Sequence, residues 1–332
     1  MIAAVQFRNF KALRAAEVRL APFNLLIGPN GSGKTSLIQS LLRLRTLAGL
    51  PVEKMPAAEK RRADGPVIEF TFQPPHEAAR VRLSCVSDLQ CDLLQVDEAG
   101  GARQWNDLRA RLRSIRAYLF DHYAMAMPAK REAGAELASN AGNLAAVLAS
   151  RKERAPEAYA GLEEEFRRLM PEFSGMEFSE AGAGQVAIKF RLADGSGAVD
   201  ADSVSQGTLY LLAILSLAFD PAPPAVVCLE EADRGVHPRM LREVRDALYR
   251  LSYPQDFGLV RAPVQVLATT HSPYLLDLFK EHPEEIILAN KRGNAASFER
   301  LSDRPDILEL TKEAHLGDLW YSGILGGVPG AE

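Results

Sequence analysis

The stretch GPNGSGKT, Gly28 to Thr35, gathers three glycines, a lysine and a threonine in the spacing G-x-x-x-x-G-K-[ST]. Gly28, Gly31 and Gly33 let the backbone curl until its amides, with those of Asn30, Ser32 and Ser36, face phosphate oxygens. Lys34 places a cation between a β- and a γ-phosphate, and the Thr35 hydroxyl is a ligand for Mg²⁺. Such a loop needs a strand before it and a helix after it. The apolar run NLLIG and the helical spacing of GKTSLIQSLLRLRTL predict both. These residues predict a site for ATP with Mg²⁺.

Two more strand ends carry chemistry. AVVCLEEAD is a short apolar strand ending in Glu230 and Glu231, and carboxylates at the end of a buried strand are costly unless a charge meets them. Beside a P-loop, Glu230 is placed to hold the water shell of Mg²⁺. Glu231 is placed to act as general base on the attacking water, with Lys34 steadying the transferred phosphoryl group. ATTHSP repeats the pattern: an apolar strand delivers Thr269, Thr270 and His271, and His271 can reach a γ-phosphate. SVSQGT, Ser203 to Thr208, precedes the very apolar LYLLAILSLAF. Small residues there leave helix-start amides uncovered, which suits either an ordinary N-cap or an anion.

The elements that must hold these residues alternate short apolar strands with helices at both ends of the chain, the pattern of a mostly parallel, helix-covered sheet. The expected fold is an α/β P-loop NTPase, its core discontinuous over residues 1–75 and 200–332. Residues 76–199 then form an inserted lobe of antiparallel strands and helices. LPVEKMPAAEKRRAD, Leu50 to Asp64, reads as a surface loop, and DLRARLRSIRAYLFDHY as a helix. On that helix Arg109, Arg113 and Arg116 share one face, which either tracks nucleic-acid phosphates or is solvated and paired with acids. Arg239, Arg242 and Arg245 pose the same choice. His237 either crosses to a second chain or caps the helix that Pro238 opens. Trp320 and Tyr321 are a docking surface or C-terminal core.

A net charge of −4 over 332 residues gives no global field for nucleic acid or membrane. The three cysteines, Cys85, Cys91 and Cys228, form no CxxC pair, which argues against a disulfide framework or a zinc site and suits a reducing cytoplasm. No signal segment or membrane span is expected, so the chain reads as a cytoplasmic protein.

The P-loop, the Ser-Gly turn, the double-acid strand and the histidine strand follow one another in the order of ATP-binding-cassette (ABC) ATPases. VQFRNFKAL with NLLIGPNGSGKTSLIQSL resembles the start of RecF- and SMC-like ATPases. LEEADRGVHP, TTHSP and LGDLWYSGILGG resemble the small stand-alone AAA-family ATPases related to overcoming-lysogenization-defect (OLD) proteins. The resemblance implies an ABC-ATPase core, a mixed sheet flanked by helices, that hydrolyses ATP as a head-to-tail homodimer. In it Ser205 and Gly207 of one chain close on the γ-phosphate held by the other.

The same resemblance implies that a glutamine after the first strands senses Mg²⁺, for which Gln73 is the candidate, and that Asn9, Phe10 and Lys11 touch the base or α-phosphate. It further implies work in DNA repair or antiviral defence, with DNA or a separately encoded nuclease or effector as partner. Glu230 stands where many relatives have Asp, and Gln206 and Thr208 replace commoner signature residues. No nuclease segment of the TOPRIM type follows the core. The competing expectations are a non-hydrolysing ATP sensor or clamp and, behind it, a transporter ATPase subunit.

Overall fold

The computed structural model describes residues 1–50, 65–97 and 102–328 of the chain. The loop expected over 50–64 lies outside the described residues except for Leu50. The chain forms two units, one of residues 1–117, 224–229 and 262–332, the other of residues 118–223 and 230–261.

The first unit holds two sheets. Strands β1 (Ile2–Phe10) and β2 (Leu13–Arg19) form a hairpin, and β4 (Val67–Phe72), β5 (Arg80–Ser87) and β6 (Gln90–Asp97) extend it antiparallel in the order β2-β1-β4-β5-β6. Alternation puts Val5, Phe7, Ile68, Phe70, Val81 and Leu83 on the buried face. The second sheet is built on β3 (Phe23–Ile27), buried along its whole length. Beside it lie β12 (Val226–Leu229), β13 (Gln265–Thr269), β14 (Ile286–Arg292) and β15 (Ala295–Arg300), with β7 (Ile115–Tyr118) at the far edge. The order is β15-β14-β3-β13-β12-β7. β3, β12, β13 and β14 are parallel, and β15 runs antiparallel to β14. Helix α1 (Lys34–Gly49) packs Leu37, Ile38, Leu41 and Leu44 into a core that includes Phe70 and Val81 of one sheet and Leu26 and Leu267 of the other. Each such side chain contributes about 1.5–3 kcal/mol by leaving water.

Three expectations change here. β5 and β6 continue the first sheet, so residues 76–97 belong to the first unit and not to an inserted lobe. The helix expected over Asp107 to Tyr123 is α2 (Ala102–Arg113), then β7, then the short α3 (His122–Ala126). Ile115 and Tyr118 are buried in a strand, and Ser114 Oγ accepts the Ala225 N–H at 2.9 Å, so pairing with the β12 segment overrides the helical spacing. Cys85 and Cys91 face each other across the β5–β6 hairpin and are joined as a disulfide, where the sequence argued against a disulfide framework; Cys228 is buried and outside any disulfide.

In the second unit β10 (Gln185–Leu192) is central. It pairs with β9 (Phe173–Glu180) along most of its length and with β8 (Ala129–Lys130) and β11 (Ala198–Asp200) near its two ends. Helices α4 (Leu144–Arg154) and α5 (Pro156–Leu169) pack on this sheet, with Phe166, Phe173 and Phe190 in mutual ring contact. α6 (Gln206–Ala218), buried from Thr208 onward, packs with the amphipathic α7 (Leu241–Ser252). The start of α6, expected in the core, thus lies in this unit. Short helices α8 (Pro273–Asp277), α9 (Ile307–Glu313) and α10 (Leu316–Tyr321) complete the first unit. Among the described residues no helix is long and apolar enough to cross a membrane.

Candidate functional site

Because β3 and β13 run parallel, with Thr269 beside Leu26, the chain leaves both at the same edge of the sheet. The loop after β3 is Gly28–Gly33, where Gly28, Gly31 and Gly33 take φ of 146°, 74° and 96°, angles that side-chain-bearing residues rarely adopt. Gly33 is the residue before α1 and has no side-chain cap, so the first amides of that helix face the loop. Lys34 is 8% exposed and its ammonium donates to the carbonyl oxygens of Gly28 at 2.6 Å and Pro29 at 3.0 Å. Ser32 is fully buried and its Oγ has no hydrogen-bond partner. A buried hydroxyl left unmatched costs about 1–3 kcal/mol, and its presence in a glycine-rich loop beside the folded-in Lys34 ammonium fits a polyphosphate. Asn30, Gly31 and Thr35 are exposed and Ser36 is half-buried.

His271 follows β13 by two residues and is exposed. It lines a cavity of about 600 Å³ with Gly28, Pro29, Asn30, Trp320 and Tyr321. Thr270, fully buried, positions the turn by accepting the Ser272 N–H at 2.9 Å. The structure thus brings His271 and the glycine-rich loop together. Trp320 is core, its indole N–H donating to Gly327 O at 3.1 Å, whereas Tyr321 is exposed. The C-terminal turn braces the loop's neighbour strand: Asn290 Oδ1 accepts the Gly327 N–H at 2.8 Å. Sequence reading missed this brace, although the Gly326–Gly327 pair, both at positive φ, was a sign of a close turn.

Asn9, near the end of β1, and Lys11, in the turn to β2, are both left-handed at φ 54° and 53°. Leu13 and Ala296, beside that turn, are what a side chain on Gly33 would meet, so it lies near the loop. Lys11 donates through its ammonium to Gln39 and through its backbone N–H to Asp88. Burial and the nearby Arg43 lower its pKa. Phe10 is fully buried beneath the Arg43 guanidinium, which corrects its expected contact with a base.

Gln73 is also corrected. Its N–H bonds Met1 O, and the Ile2 N–H bonds the Gln265 side chain, so Gln73 lies near the start of β13. His271 and the loop are at the other end of that strand, out of reach of an ion bound there. Thr35 remains, and Glu230 follows directly on β12. Among the described residues no group of three or more His, Cys, Asp or Glu is arranged to hold a metal ion. Mg²⁺ bound through one or two protein oxygens and substrate phosphates needs no such group.

In the second unit Ser205 caps α6, its Oγ accepting the Thr208 N–H at 3.1 Å and lying 2.7 Å from Thr208 Oγ1. A Cβ on Gly207 would lie 2.8 Å from Gly235 O, so this glycine also lets the helix start pack on the turn after the acids. Ser205, Gly207, Thr208, Gly235 and His237 border a cavity of about 450 Å³. His237 Nδ1 accepts the Arg239 N–H at 3.2 Å, the capping role of its two alternatives. Glu230 is half-buried; Glu231 is exposed, left-handed at φ 54°, and 3.4 Å from the Arg234 guanidinium. A left-handed glutamate costs about 1–3 kcal/mol, and such strain gathers at functional sites. The Tyr210 hydroxyl, one helical turn beyond Gln206, donates to Phe120 O at 2.7 Å, and burial raises its pKa.

The arginine stripes are largely used up locally. Arg109 binds Ala48 O and Leu50 O at 2.7 Å each, capping α1, and Arg116 lies in β7 and binds Arg113 O. Arg245 pairs with Asp246 at 2.7 Å, while Arg239 and Arg242 are exposed.

Compared with known proteins, the chain matches the family profile described as "AAA domain, putative AbiEii toxin, Type IV TA system" over residues 98–277 and an "AAA ATPase domain" profile over residues 1–63. Comparison with curated proteins finds no match. Among solved structures, an SMC head bound to the C-winged helix domain of ScpA aligns with a TM-score of 0.58 at 14% identity, covering 90% of this chain and 96% of its own. The SMC head domain from Thermotoga maritima aligns with a TM-score of 0.48 at 15% identity, over 90% and 98%. The mixed α/β fold is that of an SMC head.

Proposed function

Since the chain belongs to the AAA-domain family whose profile spans residues 98–277, we propose that it binds and hydrolyses ATP as a head-to-tail homodimer and uses the cycle to act on a separate partner. One observation carries the reading: the loop after β3 combines left-handed glycines, a folded-in Lys34 and the unmatched Ser32 hydroxyl beside His271. The backbone amides of Asn30–Ser36 and the Lys34 ammonium take the phosphate oxygens. Thr35 and Glu230 would hold Mg²⁺, which would supply positive charge at the β- and γ-phosphates. Glu231 accepts the proton of the attacking water and His271 orients the γ-phosphate and that water, giving ADP and phosphate.

Ser205 and Gly207 are assigned to a second copy's nucleotide, the γ-phosphate taking the Ser205 hydroxyl and the Gly207 amide at the start of α6. Asn9 and Lys11 are assigned to the base or α-phosphate. DNA maintenance or anti-phage defence is the setting that the RecF-, SMC- and OLD-like residues favour, with DNA or a separately encoded nuclease or effector as the object of the cycle.

A second reading, an ATP-gated clamp or sensor without turnover, has one observation in its favour. The Glu231 carboxylate already has an ion-pair partner in Arg234, 3.4 Å away. Steady-state ATPase of the wild type and of Glu231→Gln, with light scattering on the same samples, separates the two. Turnover abolished in the variant while ATP-dependent dimers accumulate supports hydrolysis. Equal, negligible turnover in both proteins supports the sensor.

A further inference from the structure

The hairpin of β14 and β15 carries a lysine that the reading above does not use. β14 runs beside β3 in the register Ile286↔Leu25, Ile287↔Leu26, Leu288↔Ile27, so Ala289, Asn290 and Lys291 continue alongside the glycine-rich loop. The approach is close: a Cβ on Gly28 would lie 2.2 Å from Ala289 O, and one on Gly31 would lie 3.4 Å from Lys291 Nζ. Lys291 is exposed and, among the described residues, makes no hydrogen bond or ion pair. Its support is firm. Asn290 is bonded to Gly327, and across the hairpin the Ala296 N–H donates to Ala12 O at 2.8 Å.

An exposed lysine is ordinarily a solvated surface charge. Location argues otherwise here. The Lys291 ammonium lies against Gly31 of the loop and, among the described residues, has no hydrogen-bond or ion-pair partner. A polyanion held by the loop would come within its reach, and the flexible four-carbon stem lets the ammonium follow it. We propose that Lys291 is a second phosphate-binding lysine, contacting the triphosphate tail of the nucleotide held by the loop after β3. This rests on the assignment of that loop to ATP.

Equilibrium titration of the full chain with a fluorescent ATP analogue tests it. Lys291→Ala is expected to weaken binding roughly tenfold, as loss of one charge-assisted contact does, and Lys291→Glu more. Lys291→Arg should stay within about threefold of wild type. Arg292→Ala, the next residue and on the other face of the strand, should bind as wild type, and none of the variants should shift the melting temperature without nucleotide. Lys291→Ala binding as tightly as wild type, or Arg292→Ala losing as much, overturns the proposal. Lys34→Ala separates the failures. If it abolishes binding while Lys291→Ala does not, only the role of Lys291 falls; if it too binds as wild type, the ATP assignment of the loop falls with it.

Discussion

At Gly28 a methyl group would meet a backbone carbonyl oxygen, that of Ala289, 2.2 Å away, and the φ of 146° is one that alanine resists. Backbone against backbone cannot yield as a side chain would. Gly28→Ala should therefore destabilise the protein by about 2–4 kcal/mol. Gly49→Ala, at the end of α1 with nothing within 4 Å, should leave the melting temperature unchanged or raise it. Calorimetry on the two variants checks both signs. Residue types at this scale were largely legible: the spacing from Gly28 to Thr35 states its chemistry. What was not legible was exposure. Phe10 and Asn9 read alike beside the hairpin turn, yet Phe10 is wholly buried under Arg43, because only the fold decides which side of a strand faces the core.

Helix α6 illustrates how an element is held at both ends. Its start is capped by Ser205, and its last carbonyls receive arginines: Arg151 donates to Ser216 O, and Arg261 donates to Ala218 O at 3.4 Å; Arg151 also pairs with Asp220 at 2.8 Å, and Arg261 also donates to Arg250 O of α7 at 2.7 Å. Cations suit a helix C-terminus. Burial lowers the Arg151 pKa and Asp220 works against that, so Asp220→Ala leaves a buried charge with one carbonyl partner. The expected loss is about 2 kcal/mol. Adding Arg151→Met should recover part of it, since the charge itself is then gone; denaturant midpoints of the single and double variants measure this. The apolar helix was plain in the sequence, and its arginine cap was not, because Arg151 and Arg261 reach it from distant positions. Nor was the split of the expected helix into α2 and β7, which depends on pairing with β12, more than a hundred residues later.

At the scale of the molecule, a head-to-tail dimer makes a prediction that local structure does not. Ser205→Ala and Ser205→Arg both lose the N-cap, about 1 kcal/mol. Only the arginine should block ATP-dependent dimerisation in light scattering, while ATP binding by the monomer survives; a variant that still dimerises normally would sink the assignment of Ser205. The alternation of strands and helices made the α/β class readable, as did the four motifs in their order. The division into units was harder to read, because the chain passes between them repeatedly and β12 returns to the first unit for residues 224–229 alone.

That threading has a cost in time. β3 lies between β13 and β14, and Asn24 at its start donates to Val266 O, 242 residues later. At about 5–20 residues per second, a ribosome releases the oily P-loop strand on the order of ten to fifty seconds before either neighbour exists. Until then both hydrogen-bonding edges of the strand lack their native partners. Newborn chains should accordingly lean on holdase chaperones, and stalls late in the message should yield aggregates from an otherwise well-buried protein.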